Sequence, residues 1–335
     1  MFSNTHTALP RRNLIALCAA ALLSLPMAAS AQAKLEEITY LLPAPGTLPA
    51  FGPWMLAQAK GYYAAEGLDV KFVTGRGGVD VAKQVGAGNA VIGGALGDTS
   101  IIARGQGIPV KTVAVLGSGS MMQLVTHKDE KIESPRELKG KTITVLAYTD
   151  TTYYALLGML SKVGLTKNDV NIQAAGPAGV WQQFAAKKAS AMAAVPDWTV
   201  TATETGAKVD ILPSDVYFKS MAQGILASDE TIAKNPQLIQ KLVRATLKGM
   251  KDIMADPKAA AVTYAAHVPA HKGKEASIQQ VFEMYNKYVY AAQKAPGQMD
   301  EARLADLQKF YVSNGIVQTA VPLKDLYTNQ FVQAR

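Results

Sequence analysis

The chain has 335 residues, 49% hydrophobic and 18% charged, with 34 Lys and Arg against 26 Asp and Glu. That is ordinary globular composition, with length for two domains of ~100–200 residues each. The basic residues are scattered, without a dense Lys/Arg block or interleaved aromatics, which argues against nucleic-acid binding.

Residues 1–33 differ from the rest. Arg11 and Arg12 precede an apolar run from Leu14 to Leu25, and two small-residue cleavage patterns follow, Ala29-Ser30-Ala31 and Ala31-Gln32-Ala33. This pattern predicts a secretory signal peptide over 1–33, cleaved near residues 31–34. It is too short for a membrane span of ~20 residues. The Arg11-Arg12-Asn13-Leu14-Ile15 string leaves general and twin-arginine export both open. Cys18 is the single cysteine and would leave with the peptide. Leu17 before it argues against lipid attachment. The expected mature chain is soluble, carries 32 basic and 26 acidic residues, and has no thiol, disulfide or cysteine-based metal site.

From Glu37 onward strands and helices alternate. Ile38–Leu42 reads as a strand, and Pro53 opens a helix with Met55, Leu56, Ala59 and Tyr62/Tyr63 on one face. Gly67 stops it. Asp69–Val73, Ala90–Ala95 and Val110–Leu116 read as strands. Between them lie helices carrying Val79, Ala82 and Val85, and Ile101–Arg104. The rhythm predicts a mostly parallel, doubly wound sheet. It restarts with Met121–Thr126, Ser134–Leu138, Thr142–Leu146 and a helix from Asp150 to Lys162, and continues to about Gly206. Met221–Ala227 matches Met121–Thr126 in length and apolarity. Paired crossings there predict a discontinuous first lobe (34–122 and 224–335) and an inserted second lobe (123–223), joined by a two-strand hinge. Past Ser228 the chain reads as helical. Leu238, Ile239, Leu242, Val243, Leu247 and Met250 form a stripe expected to cover the first lobe.

In doubly wound sheets, ligands sit beyond the carboxyl ends of the strands. Six strand-to-helix turns here are rich in Gly, Pro, Thr and Asp. They are Leu42–Thr47, Gly75–Gly78, Gly97–Ser100, Tyr148–Thr152, Gly176–Gly179 and Pro196–Trp198, three from each expected lobe. Glycines admit close backbone approach, and helix-start N–H groups are free donors. Any one such turn is more often a plain connection; together they point to a cleft. Arg76 is placed to clamp a carboxylate or sulfonate, or else is a solvated loop charge. Tyr148, Tyr153, Trp54 and Trp198 offer faces to a planar ligand, or else are core. Asp150 would repel a dianion, or else caps its helix.

The segments Trp54…Ala59-Lys60-Gly61-Tyr62…Glu66-Gly67-Leu68-Asp69-Val70, Gln84-Val85-Gly86-Ala87-Gly88-Asn89…Ile92-Gly93 and Ser134-Pro135…Leu138-Lys139-Gly140-Lys141 resemble the nitrate/sulfonate/taurine-type solute-binding proteins of ABC importers. Relatives in that family bind the pyrimidine precursor of thiamine. The resemblance runs from about Ile38 to Asp256. It implies the periplasmic binding protein type II fold, a periplasmic location, a small-molecule ligand, and delivery to a membrane permease and its ATPase by a monomer. It also carries ligand contacts onto Pro45, Gly46 and Thr47, onto Gly77, onto Gly97, Asp98 and Thr99, onto Thr149, Thr151 and Thr152, and onto Asp197 and Trp198. Tyr148 and Arg76 join these on their own chemistry. Two departures stand out: a long, Pro-rich first loop, and Tyr-Thr-Asp-Thr-Thr where sulfonate binders favour a Ser-rich start.

The expected ligand is an aromatic or heterocyclic organic solute, neutral or monoanionic; a short alkanesulfonate such as taurine, or nitrate, is the alternative. An enzyme on the same fold is the rival class. His127 stands alone, and His267 and His271 have Pro269 between them with no carboxylate at metalloprotease spacing, so no metal or cofactor is expected. Pyrimidine-precursor synthases share the fold, but their cysteine-rich motif is missing. Presentation of ligand to a chemoreceptor is a third reading.

Overall fold

The computed structural model describes residues 1–3, 34–291 and 293–332; the expected signal peptide, with Cys18, falls almost wholly outside the described residues. Ten strands fold into two five-stranded sheets. They are β1 (Glu36–Leu42), β2 (Leu68–Thr74), β3 (Ile92–Leu96), β4 (Val110–Val115), β5 (Gln123–His127), β6 (Thr142–Val145), β7 (Asn171–Ala174), β8 (Ala191–Ala194), β9 (Val209–Leu212) and β10 (Gln223–Ser228). The first sheet runs β2-β1-β3-β10-β4, the second β7-β6-β8-β5-β9. Pairing is parallel between β1 and both β2 and β3, and between β6 and both β7 and β8. Each sheet contains one reversed strand. β10 runs antiparallel to β3 and β4, with Gln223 opposite Leu96, and β5 runs antiparallel to β8 and β9. In both cases it is the strand that brings the chain in from the other sheet.

The central strands are short and wholly apolar because helices cover both faces, the condition for parallel sheets. Every residue of β8 is buried. On one face of the first sheet, the Gly78–Gly86 helix buries Val81, Ala82 and Val85. The opposite face meets the long Pro236–Ala255 helix and the Gly52–Ala59 helix. The expected stripe is the buried face of that long helix, through Ile239, Leu242, Val243, Leu247 and Met250, with Leu238 half-buried at its edge. Each such apolar side chain contributes about 1.5–3 kcal/mol of burial. The two helices touch at Gly249, where a Cβ would overlap the Pro53 carbonyl oxygen, so only glycine fits. On the second sheet, the Thr151–Lys162 helix covers one face and the Gly176–Ala185 and Pro196–Glu204 helices the other. The core beneath the last two is continuous with that of the first sheet: Phe184, Met192, Val195 and Trp198 join the cluster holding Tyr40 and Trp54.

The two crossings run side by side. Met121 N–H donates to Met221 O (3.2 Å) and Leu116 N–H to Gln223 O (2.7 Å). Strand geometry sets in at Gln123 and Gln223, later than the sequence pattern predicts. On the first crossing, Gly117 (φ +116°) and Gly119 pass so near Val289 and Tyr288 that a Cβ at either would overlap their carbonyl oxygens. Gly119 N–H donates to Val289 O (2.9 Å) instead of to a strand neighbour. Arg303, from the Glu301–Ser313 helix, fastens both crossings. Its Nε donates to Ser220 O (2.6 Å), another nitrogen to Ser118 O, and Nη2 to the Asp215 carboxylate (2.5 Å).

Candidate functional site

Two overlapping chambers lie between the carboxyl ends of the two sheets. The inner one, about 90 Å³, is walled by Ala44, Leu48, Phe51, Leu96, Met121, Leu146 and Val195, with Thr151, Thr152, Asp197, Trp198 and Gln223 among its polar and aromatic edges. The outer one, about 390 Å³, opens past Pro45, Arg76, Thr149 and Pro177. Gly77, Gly78, Asp150, Thr151 and Trp198 border both. Gly77 has φ +91°, a conformation costly to any residue with a Cβ, and it caps the start of the Gly78–Gly86 helix, whose Gly78 and Val79 also border the outer chamber.

Eight of the expected site residues thus line the chambers: Pro45, Arg76, Gly77, Thr149, Thr151, Thr152, Asp197 and Trp198. Six do not, and each has a physical reason. Gly46 and Thr47 turn to a separate depression beside Met55 and His267. The Thr47 carbonyl accepts from the Tyr264 hydroxyl (2.8 Å) and bonds His271 Nε2 (2.6 Å). Gly97 is packed at the crossings, its N–H on Ala222 O (2.9 Å) and its carbonyl taken by the Thr112 hydroxyl (2.8 Å). Asp98 is buried behind the wall and accepts from the Tyr311 hydroxyl (2.5 Å). Thr99 is also buried, its Oγ1 only 3.3 Å from where a Cβ of Gly78 would stand. Tyr148 lies on the surface, with its hydroxyl donating to Ile172 O (3.0 Å). Of the other aromatic candidates, Trp54 is core, and Tyr153 packs on Tyr148 and Tyr154.

Asp150 caps the Thr151–Lys162 helix: its carboxylate accepts from Thr152 N–H (2.9 Å) and from the Thr152 hydroxyl. That engagement leaves the Thr151 hydroxyl as the freer donor of the pair. Asp197 is different. It is 5% exposed, and its Oδ1 has no hydrogen-bond partner. Burial pushes its carboxyl up to about 7. Burial also pushes Asp98 up to about 6 against the pull of the Tyr311 hydroxyl, and raises Asp150 against its Thr152 bonds. No Lys or Arg lines the inner chamber; Arg76 stands at the outer one. Trp198 is both wall and core: it is 8% exposed and belongs to the cluster that joins the sheets.

Sequence reasoning missed Gln223, on β10, which is 4% exposed with Oε1 unpartnered at the inner chamber. Its signal was present: one long polar side chain in the apolar run Met221–Ala227. The apolar wall residues carried no signal that separates them from core. Among the described residues no cluster of three or more His, Cys, Asp or Glu is placed to hold a metal ion, and no helix is long and apolar enough to cross a membrane.

Comparison with known proteins gives a consistent picture of fold. A riboflavin-binding protein, RibY of Chloroflexus aurantiacus, is 29% identical over 335 residues, covering 95% of this chain and 94% of that protein. A 4-amino-5-hydroxymethyl-2-methylpyrimidine phosphate synthase of Aspergillus parasiticus is 27% identical, covering 68% of this chain and 70% of the enzyme. The solved alkanesulfonate-binding protein SsuA of Xanthomonas axonopodis pv. citri, bound to MOPS, superposes with TM-score 0.68 at 16% identity, covering 88% of this chain and 98% of that one. The fold is that of the periplasmic binding proteins. A profile of the NMT1/THI5-like family matches residues 48–260, more than half of the 335, and the chain belongs to that family.

Proposed function

We propose that the chain is the periplasmic solute-binding component of an ABC importer, capturing a small aromatic or heterocyclic solute, neutral or monoanionic, and passing it to a membrane permease and its ATPase. The observation that carries this reading is the pair of chambers between the sheets, with one ring's worth of apolar space at the inner end and Trp198 on its edge. The acidic inner lining, Asp150 and Asp197 without a cation, disfavours a sulfonate or nitrate head there. The riboflavin-binding relative, similar along nearly its whole length, supports a ring-bearing ligand. The paired crossings supply the hinge between lobe 34–122 plus 224–335 and lobe 123–223, and closure about it expels water from the cleft. Binding without catalysis fits a chain whose one cysteine lies in the expected leader and whose chambers are lined by no histidine.

The test is a thermal-shift panel on refolded, ligand-stripped protein with riboflavin, 4-amino-5-hydroxymethyl-2-methylpyrimidine, taurine and nitrate. Ligand at ~100 times its Kd adds about 2.7 kcal/mol. A shift from a ring compound is expected. A shift from taurine or nitrate alone would overturn the ring assignment.

A further inference from the structure

Two residues that line the inner chamber each carry a buried acceptor oxygen to which the protein offers no donor. Asp197 Oδ1 comes from the start of the Pro196–Glu204 helix, over the second sheet, and Gln223 Oε1 from β10 in the first. Both side chains are at least nine-tenths buried, and both line the same 90 Å³ space. Gln123, at the head of the other strand, is placed differently: its Nε2 donates to Ser120 O (2.7 Å) and its Oε1 accepts from Ser214 N–H (3.1 Å). Gln123 and Gln223 begin the two strands that follow the crossings, so the contrast is between equivalent positions. One is built into the scaffold and the other is not. A buried carboxylate or amide oxygen without a partner costs about as much as a lost hydrogen bond, a cost removed only when something donates to it.

We infer that Asp197 and Gln223 form a specificity pair, one from a helix over the second sheet and one from the first sheet, that reads the edge of a planar ring carrying an N–H donor. This rests on the proposed capture of a ring-bearing solute and names which chemistry of the ring is selected. Asp197 accepts the ring N–H or exocyclic N–H. The Gln223 amide takes the adjoining polar atom, since it both donates and accepts. Leu48, Phe51, Leu96 and Leu146 supply an apolar wall for the ring, and a ring lacking the donor leaves both acceptors unpaired. Discrimination by an unpaired buried group is far steeper than discrimination by size. The pair also spans the two sheets, so full recognition requires both to be in place.

The experiment uses two matched probe pairs, riboflavin with its N3-methyl derivative, and 4-amino-5-hydroxymethyl-2-methylpyrimidine with its N,N-dimethylamino analogue. Titration calorimetry is run on wild type, Asp197→Asn and Gln223→Met, with apo melting temperatures as folding controls. For at least one pair, methylation and each substitution are expected to weaken binding by about 10-fold or more. The methylated probe is expected to lose little further in Asp197→Asn. If a parent ring binds but methylation and both variants change affinity by less than about threefold, the inference falls and ring capture stands. If neither parent ring binds at millimolar concentration, the inference falls as well. Binding of taurine or nitrate in that case would bring down the ring reading with it.

Discussion

Asp215 and Asp197 both lie where the two sheets meet, yet they are treated in opposite ways. Asp215 accepts from the Ser120 hydroxyl (2.7 Å), the Ser120 N–H (3.1 Å) and Arg303 (2.5 Å). Asp197 has one oxygen that is buried and accepts from nothing. The Asp215 carboxylate is satisfied without a ligand, because the crossings supply it with donors whether or not a solute is present. Around Asp197 the cleft is incomplete, which is how a site stores affinity for a partner it does not yet hold. Most buried acceptors in a native protein are partnered, so one left bare in a residue that lines a chamber calls for an explanation.

The strongest way to break the scaffold side is Arg303→Met. Its side chain is 9% exposed, and the guanidinium serves Ser118 O, Ser220 O, Ser120 Oγ and Asp215 together. Removing one partner of a buried ion pair costs about 3–5 kcal/mol, and the lower end applies because the Asp215 side chain is 37% exposed. Urea denaturation of the apo protein should show a loss near ~3 kcal/mol. A loss below about 1 kcal/mol would show that the crossings hold together without Arg303.

The cleft side is sharpened by pH. The Asp197 carboxyl is raised in the folded protein to about 7, against an ordinary value of 3.8. Between those values the folded state holds more protons than the unfolded one, so stability falls as pH rises through the window and the full penalty is present above it. Asp197→Asn should therefore melt higher than wild type at pH 8, by at least ~1 kcal/mol or about 2–4 °C. The difference should close below about pH 3, where the carboxyl is protonated in both states. Asp98 and Asp150, raised by burial too, titrate in both proteins and drop out of the difference. Melting of the variant below wild type at pH 8 would mean that Asp197 is already satisfied in the folded protein. Stabilisation of the apo form with weakened ligand binding is what a site residue gives, and a scaffold residue does not.

The frame was more legible than the cleft for a reason these two aspartates make plain. Helical stripes such as Ile239, Leu242, Val243 and Met250, and apolar strands such as β8, obey local periodicity, so single-chain patterns suffice. Which side of a loop faces the cleft is set by tertiary packing. Thr47 and Pro45 are two residues apart, and only Pro45 reaches the outer chamber. Asp98 has the residue type of a ligand contact, yet Tyr311, 213 positions along the chain, bonds one oxygen of its carboxylate. Trp198 resisted division because it serves as wall and core at once, so loss of its side chain removes both functions. Gln223 was hidden by its place in a strand, although a lone polar residue in an apolar strand invites the question of what it bonds.

Arg76 offers the smallest effect and the finest test of where recognition lies. The side chain is exposed at the outer chamber, its backbone N–H is held by Asp80 (2.9 Å), and no ion pair engages its guanidinium among the described residues. An exposed charge of this kind contributes about 0–1 kcal/mol to any contact it makes. Arg76→Ala should therefore leave the apo melting temperature within about 1 °C of wild type and leave a neutral ring's affinity unchanged. For a monoanionic ligand, affinity should fall by up to ~5-fold in dilute buffer, and the difference should vanish at high salt, where screening shortens to about 3 Å at 1 M. Calorimetry at two salt concentrations, with one neutral and one anionic probe, reads both effects. If Arg76→Ala instead abolishes binding of a neutral ring, the outer chamber holds the ring, and the bare oxygens of Asp197 and Gln223 await something other than the solute.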